Sequence, residues 1–92
     1  MQRLQTLFLE DNKIKNLDNG VFDTLVGLSI LVLNSNKIEV IPLLLFSKNV
    51  KLEAVLLSNN KIEEIQMESF LNLKLLGILD LEGNVCVYKV FA

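Results

Sequence analysis

The sequence predicts an α/β solenoid: a right-handed coil with a parallel β-sheet along its concave face and short helical or irregular returns on its convex face. Three observations predict it. Apolar residues recur with a period of 24 over most of the chain. Within each period they first alternate, as a strand half buried on one face requires, and then close on an asparagine. Half of the 92 residues (51%) are apolar, with 20 Leu, 9 Val and 7 Ile, which excludes a disordered or low-complexity chain.

Four segments align without gaps: LQTLFLEDNKI (4–14), LSILVLNSNKI (28–38), LEAVLLSNNKI (52–62) and LGILDLEGNVC (76–86). They set repeats at 4–27, 28–51 and 52–75 and a partial one at 76–92, within one unit over 1–92. The first apolar position holds Leu4, Leu28, Leu52 and Leu76; the second holds Leu7, Leu31, Val55 and Leu79; the third holds Leu9, Leu33, Leu57 and Leu81. Alternation puts the second and third positions on one face of a short strand and the residue between them on the other. Asn12, Asn36, Asn60 and Asn84 follow, where the chain must turn inward. A buried amide there needs backbone partners, so this column is read as structural. Ile14, Ile38, Ile62 and Cys86 close the template.

The rest of each period carries the chain back to the start of the next strand. Parallel strands need such a crossover, and a right-handed one is strongly favoured. Leu17, Ile41 and Ile65 recur five residues after the Asn, and Phe22, Phe46 and Phe70 recur ten after it, giving a phenylalanine column on the far side of the core. Leu25 and Leu73 follow the Phe by three, but the second repeat has Asn49 there. Leu43, Leu44 and Leu45 make its return more apolar than the matching 19–21 and 67–69, which suggests extra helix packing or a second contact surface.

The template L-x-x-L-x-L-x-x-N-x-I resembles that of the leucine-rich repeat family over about residues 4–86. The 24-residue unit with its Phe is similar to the typical subtype, and that resemblance implies an extracellular or cell-surface parent, such as a receptor ectodomain or a secreted recognition protein. It also implies a cysteine-rich flank after the last repeat. Asn84-Val85-Cys86 looks like the start of one, but the further cysteines are absent. Cys86 is expected to be a buried core residue, the alternative being half of a disulfide to a partner outside this chain.

The ends look unfinished. Terminal coils of a solenoid need polar caps. Three residues precede Leu4, and VYKVFA at the other end leaves the template. The chain therefore reads as an excerpt of a longer solenoid, or else as one that self-associates through its ends. No apolar leader with a cleavage site opens the sequence. The longest apolar run, Val40–Phe46, contains Pro42 and is far short of the roughly 20 residues of a spanning helix.

Function is sought on the outward residues of the strands, which stacking leaves free. They form three columns: Thr6, Ile30, Ala54, Ile78; Phe8, Val32, Leu56, Asp80; and Glu10, Asn34, Ser58, Glu82. Phe8, Ile30, Val32, Ala54, Leu56 and Ile78 are expected to form a contiguous apolar patch, with the third column as a polar rim. The expected partner-binding residues are Phe8, Ile30, Val32, Asn34, Ala54, Leu56, Ser58, Ile78, Asp80 and Glu82, and the expected partner is a protein or peptide. Lys13, Lys37 and Lys61 also align, but Glu39, Glu63 and Glu64 lie near enough in sequence to make this a solvated edge.

Other chemistry is poorly supplied. A net charge of −2 argues against nucleic acid. With no His and one Cys, Ser-His-Asp and Cys-His catalysis and most zinc sites are excluded. Asp80, Glu82 and Asn84 alternate, but the first two point outward and the third turns, so they do not converge on a cation. A hydrolytic pair of Asp80 and Glu82 would need a pocket that a shallow sheet lacks. The four glycines are dispersed and form no phosphate loop. The expectation is a non-enzymatic recognition module without cofactor, metal or membrane insertion. The alternative is a structural segment that extends a longer solenoid or pairs through its ends.

Overall fold

The structure, a computed structural model, describes residues 4–65 and 67–85. Cys86 and the tail beyond it, with the expectations that fall on them, lie outside the described residues. Four three-residue strands, β1 (Thr6–Phe8), β2 (Ile30–Val32), β3 (Ala54–Leu56) and β4 (Ile78–Asp80), form one sheet in sequence order. All neighbours are parallel, and each register step is 24 residues: Leu7 lies beside Leu31, Leu31 beside Val55, and Val55 beside Leu79. The backbone ladder outlasts the strands. Ser29 N donates to Gln5 O (2.7 Å), Leu9 N to Val32 O (2.8 Å) and Asp11 N to Asn34 O (3.0 Å), and the same pattern repeats one coil on.

The sheet stops where the chain turns. Asp11, Ser35 and Asn59 have φ of 60°, 60° and 58°, and Gly83, at the fourth equivalent place, has 79°. This left-handed conformation suits Asp, Asn and Gly and strains Ser. Gly83 needs its missing Cβ twice over, because a methyl there would also overlap Oδ1 of Asn59. Gly83→Ala is expected to cost about 1–2 kcal/mol in urea unfolding, since the strained φ remains even if Asn59 swings away. An unchanged midpoint would contradict the turn geometry.

The asparagine column joins the coils. Asn60 donates through Nδ2 to Leu57 O and Ser58 O of its own coil (3.0 and 3.3 Å) and to Leu33 O of the preceding coil (3.0 Å). Its Oδ1 accepts Ile38 N (3.1 Å). Asn36 repeats the set with Leu33, Asn34, Leu9 and Ile14, and Asn84 with Leu81, Leu57 and Ile62. Each Leu carbonyl between two coils thus accepts from two asparagines, while each Ile amide has one side-chain acceptor. Among the described residues Asn12 bonds within its own coil, to Leu9 O and Glu10 O.

Leu28, Leu31, Leu33, Ile38, Leu52, Val55, Leu57 and Ile62 are fully buried between coils. On the far side Phe22 and Phe46 stack with centroids 6.4 Å apart, and Phe70 lies tilted against Phe46 at 5.7 Å. The returns are turns, plus a 3-10 turn at Met67–Phe70. Their irregularity follows from closing a 24-residue circuit, which leaves too few residues for a longer helix. Asn49, the break in the apolar pattern, is fully buried and donates to Phe22 O (2.9 Å) and Leu25 O (3.0 Å) of the coil before. Its Oδ1 has no hydrogen-bond partner among the described residues. In the outermost described coils Leu4, Leu7, Leu9, Leu76, Leu79 and Leu81 are only partly buried. Among the described residues no helix is long and apolar enough to cross a membrane.

Candidate functional site

The register assembles the outward columns as the alternation predicts. Thr6, Ile30, Ala54 and Ile78 lie side by side, and so do Phe8, Val32, Leu56 and Asp80. Exposure within them is uneven. Phe8 is 64% exposed, Ile78 56% and Ile30 37%, but Val32 only 7%, walled between its register neighbours Phe8 and Leu56. Ala54 and Leu56 are half-buried. The expected patch is therefore not uniformly open. Its accessible apolar surface is Phe8 with Ile30 at one end and Ile78 at the other, with a lower floor between them.

The third column is less free of structural duty than strand alternation suggests. Asn34 uses Oδ1 to accept Ser58 N (2.8 Å), so its side chain props the ladder and its rim position offers Nδ2 alone. Asp80 is half-buried, and one carboxylate oxygen accepts Glu82 N (3.0 Å), which fixes its orientation. Glu82 is exposed and Glu10 half-buried. The face thus carries an acid at each end, one in coil one (Glu10) and two in coil four (Asp80 and Glu82), and in the second column it runs from apolar Phe8 to acidic Asp80. Among the described residues no group of three or more His, Cys, Asp or Glu could hold a metal ion.

The return side carries a second apolar surface. Leu43, Leu44 and Leu71 are exposed and line one cleft with Ser47, Glu68 and Asn72. Leu45, the third of the leucine run, is fully buried, so only it serves the core. Leu44 N is held by Oδ1 of Asn19 (3.0 Å), and Asn72 Nδ2 reaches Phe46 O (3.2 Å). The lysines after the turn, Lys13, Lys37 and Lys61, are exposed, while Glu39 meets Lys15 at 3.9 Å.

Two features of the structure go beyond the sequence expectations. The left-handed position before each Asn holds Asp, Ser, Asn and Gly, a column of turn-forming residue types that repeats every 24 residues in the sequence. The second is the set of side-chain to backbone bonds made by Asn19, Asn34, Asn49 and Asn72, which no spacing announces.

A stack of four like coils, tied by the side chains of Asn36, Asn60 and Asn84, backed by Phe22, Phe46 and Phe70 and presenting an open sheet, defines a repeat scaffold. The leucine rich repeat model matches residues 2–58 and 27–85, and the chain belongs to that family. Among solved structures it is similar to the leucine-rich repeat domain of APL1B, with 30% identity and a TM-score of 0.88, covering 90% of this chain and 24% of that one. The LRIM1/APL1C complex gives 30% identity and 0.90, covering 94% and 16%. The TLR13-ssRNA13 complex gives 29% and 0.86, covering 92% and 12%. The chain thus spans a quarter or less of these proteins. No match is found among curated proteins. The family is one typically used for protein–protein interaction.

Proposed function

We propose that this chain is a non-enzymatic recognition module that binds a protein or peptide on the concave sheet. The observation that carries the reading is the exposure of Phe8, Ile30 and Ile78 on a hydrogen-bonded sheet whose stacking does not require it. Large apolar side chains held out on an ordered surface favour association. Phe8, Ile30, Ala54, Leu56 and Ile78 form the contact floor, with Val32 beneath it; Asn34, Ser58, Asp80 and Glu82 form the rim. One similar structure is a complex of two proteins and another a complex with single-stranded RNA. For this chain the protein partner is favoured, because the face holds acidic side chains and no basic one. The 24-residue unit supports an extracellular or cell-surface setting.

The second reading is a structural segment that extends a longer solenoid or self-associates through its ends. The partly buried leucines of the outermost coils favour it.

Selection of a displayed library of random dodecapeptides against the chain separates the two. Leu56 is half-buried beside Asp80, so Leu56→Asp would disturb both packing and charge, and Ile30→Glu is the cleaner probe. Selected peptides are expected to lose at least about tenfold in affinity on Ile30→Glu, the typical weight of an interface anchor. They should be retained on Leu71→Glu, which alters the return side. The opposite pattern would overturn the concave reading. Absence of any binder, together with concentration-dependent association in sedimentation, would establish the structural one.

A further inference from the structure

We infer that the partner segment lies across the strands, with apolar side chains over Phe8 and Ile30 and a lysine or arginine over Asp80 and Glu82. This rests on the concave face being the recognition surface and names the chemistry that fits it. Of the twelve outward positions in the three columns, three are acidic and none is basic, although the chain has nine Lys and Arg. Lys13, Lys37 and Lys61 all fall beyond the asparagine turn, outside the columns. The face is therefore negative within a chain of nearly balanced charge, and two of its three acids belong to coil four.

The two ends differ in kind. Coil one offers Phe8 in the second column, where coil four offers Asp80. The Asp80 carboxylate is already oriented by Glu82 N, so a cation meeting it has less side-chain freedom to freeze out. Its other oxygen has no hydrogen-bond partner among the described residues. Adjacent Glu82 is exposed and can share the same cation. Ile78, in the same coil, gives the methylene stem of a Lys or Arg an apolar surface to lie on. Three strand spacings separate Phe8 from Asp80 along their shared column, about 14 Å, which an extended chain spans in about four or five residues. The recognised pattern is thus an aromatic or aliphatic residue and a basic one at that separation.

The random dodecapeptide selection tests it with Asp80→Asn and Glu82→Gln combined. Asp80→Asn keeps an oxygen for Glu82 N, so the fold is retained, which circular dichroism verifies. The expected result is that peptides dependent on Ile30 carry Lys or Arg four or five residues from an apolar anchor. They should lose about tenfold in affinity on the double neutralisation, and weaken with added salt. Peptides that need Ile30 but are neutral or acidic at that spacing, or that ignore the neutralisation, overturn this inference and leave the concave reading standing. Peptides that ignore Ile30→Glu, or the enrichment of none, overturn both.

Discussion

Replacing Phe46 by alanine is expected to lower the unfolding free energy by about 3–5 kcal/mol, the range for a large buried aromatic truncated in a packed core. Phe46 is fully buried and is the middle ring of the column, 6.4 Å from Phe22 and 5.7 Å from Phe70. Its loss removes two ring contacts and opens a void that neither neighbour can fill without leaving its own coil. In a solenoid each coil is held by its neighbours, so a central defect weakens two junctions. For a chain of this size the lower bound corresponds to a fall in Tm of about 12 °C or more. Phe8→Ala is the control, because Phe8 is 64% exposed and its truncation forfeits little burial. Thermal unfolding of the two variants beside the parent measures the contrast. Equal losses would mean that the phenylalanine column is not the back wall of the core.

Asn60→Ala is expected to cost about 2–4 kcal/mol, with the unpaired Ile38 amide as the largest part. The carbonyl of Leu33 keeps its bond from Asn36, and that of Leu57 its bond from Asn84. Ile38 N has no such second acceptor at the column. Asn60→Asp is expected to lose at least as much despite its equal shape. Its carboxylate still accepts from Ile38 but sets a negative oxygen against the carbonyls of Leu33, Leu57 and Ser58, where the amide donated. Denaturant unfolding of both variants, with Asn60→Leu as the apolar comparison, checks the reading. A leucine variant as stable as the parent would show that the column needs only bulk.

Much of the fold was legible because two periods coincide. A strand period of two puts Leu7 and Leu9 inward and Phe8 outward, and a coil period of 24 sets Leu7 beside Leu31. Both can be counted in the sequence. The asparagine and phenylalanine columns were legible for the same reason. What could not be read depends on distances across coils. Asn49 looked like a lapse in the apolar pattern, and its role comes from the Phe22 and Leu25 carbonyls, which only stacking brings to it. Alternation places Asn34 among the outward rim residues, yet its amide oxygen serves the next coil. The columns of the candidate site were legible, but their relief was not, because the burial of Val32 is decided by how its neighbours lie against it. The leucine run on the second return divides along the same line: Leu45 fills the core while Leu43 and Leu44 stay outside.

The coils of 24 residues lie in register, so that each strand faces its counterpart one period away. Methyl-to-methyl nuclear Overhauser contacts of Val55 test this most directly, since Val55 is fully buried in the third of four strands. The predicted result is contacts from Val55 to both Leu31 and Leu79, on its two sides. Contacts confined to residues three or four positions from Val55 in sequence, with neither leucine in reach, would contradict it.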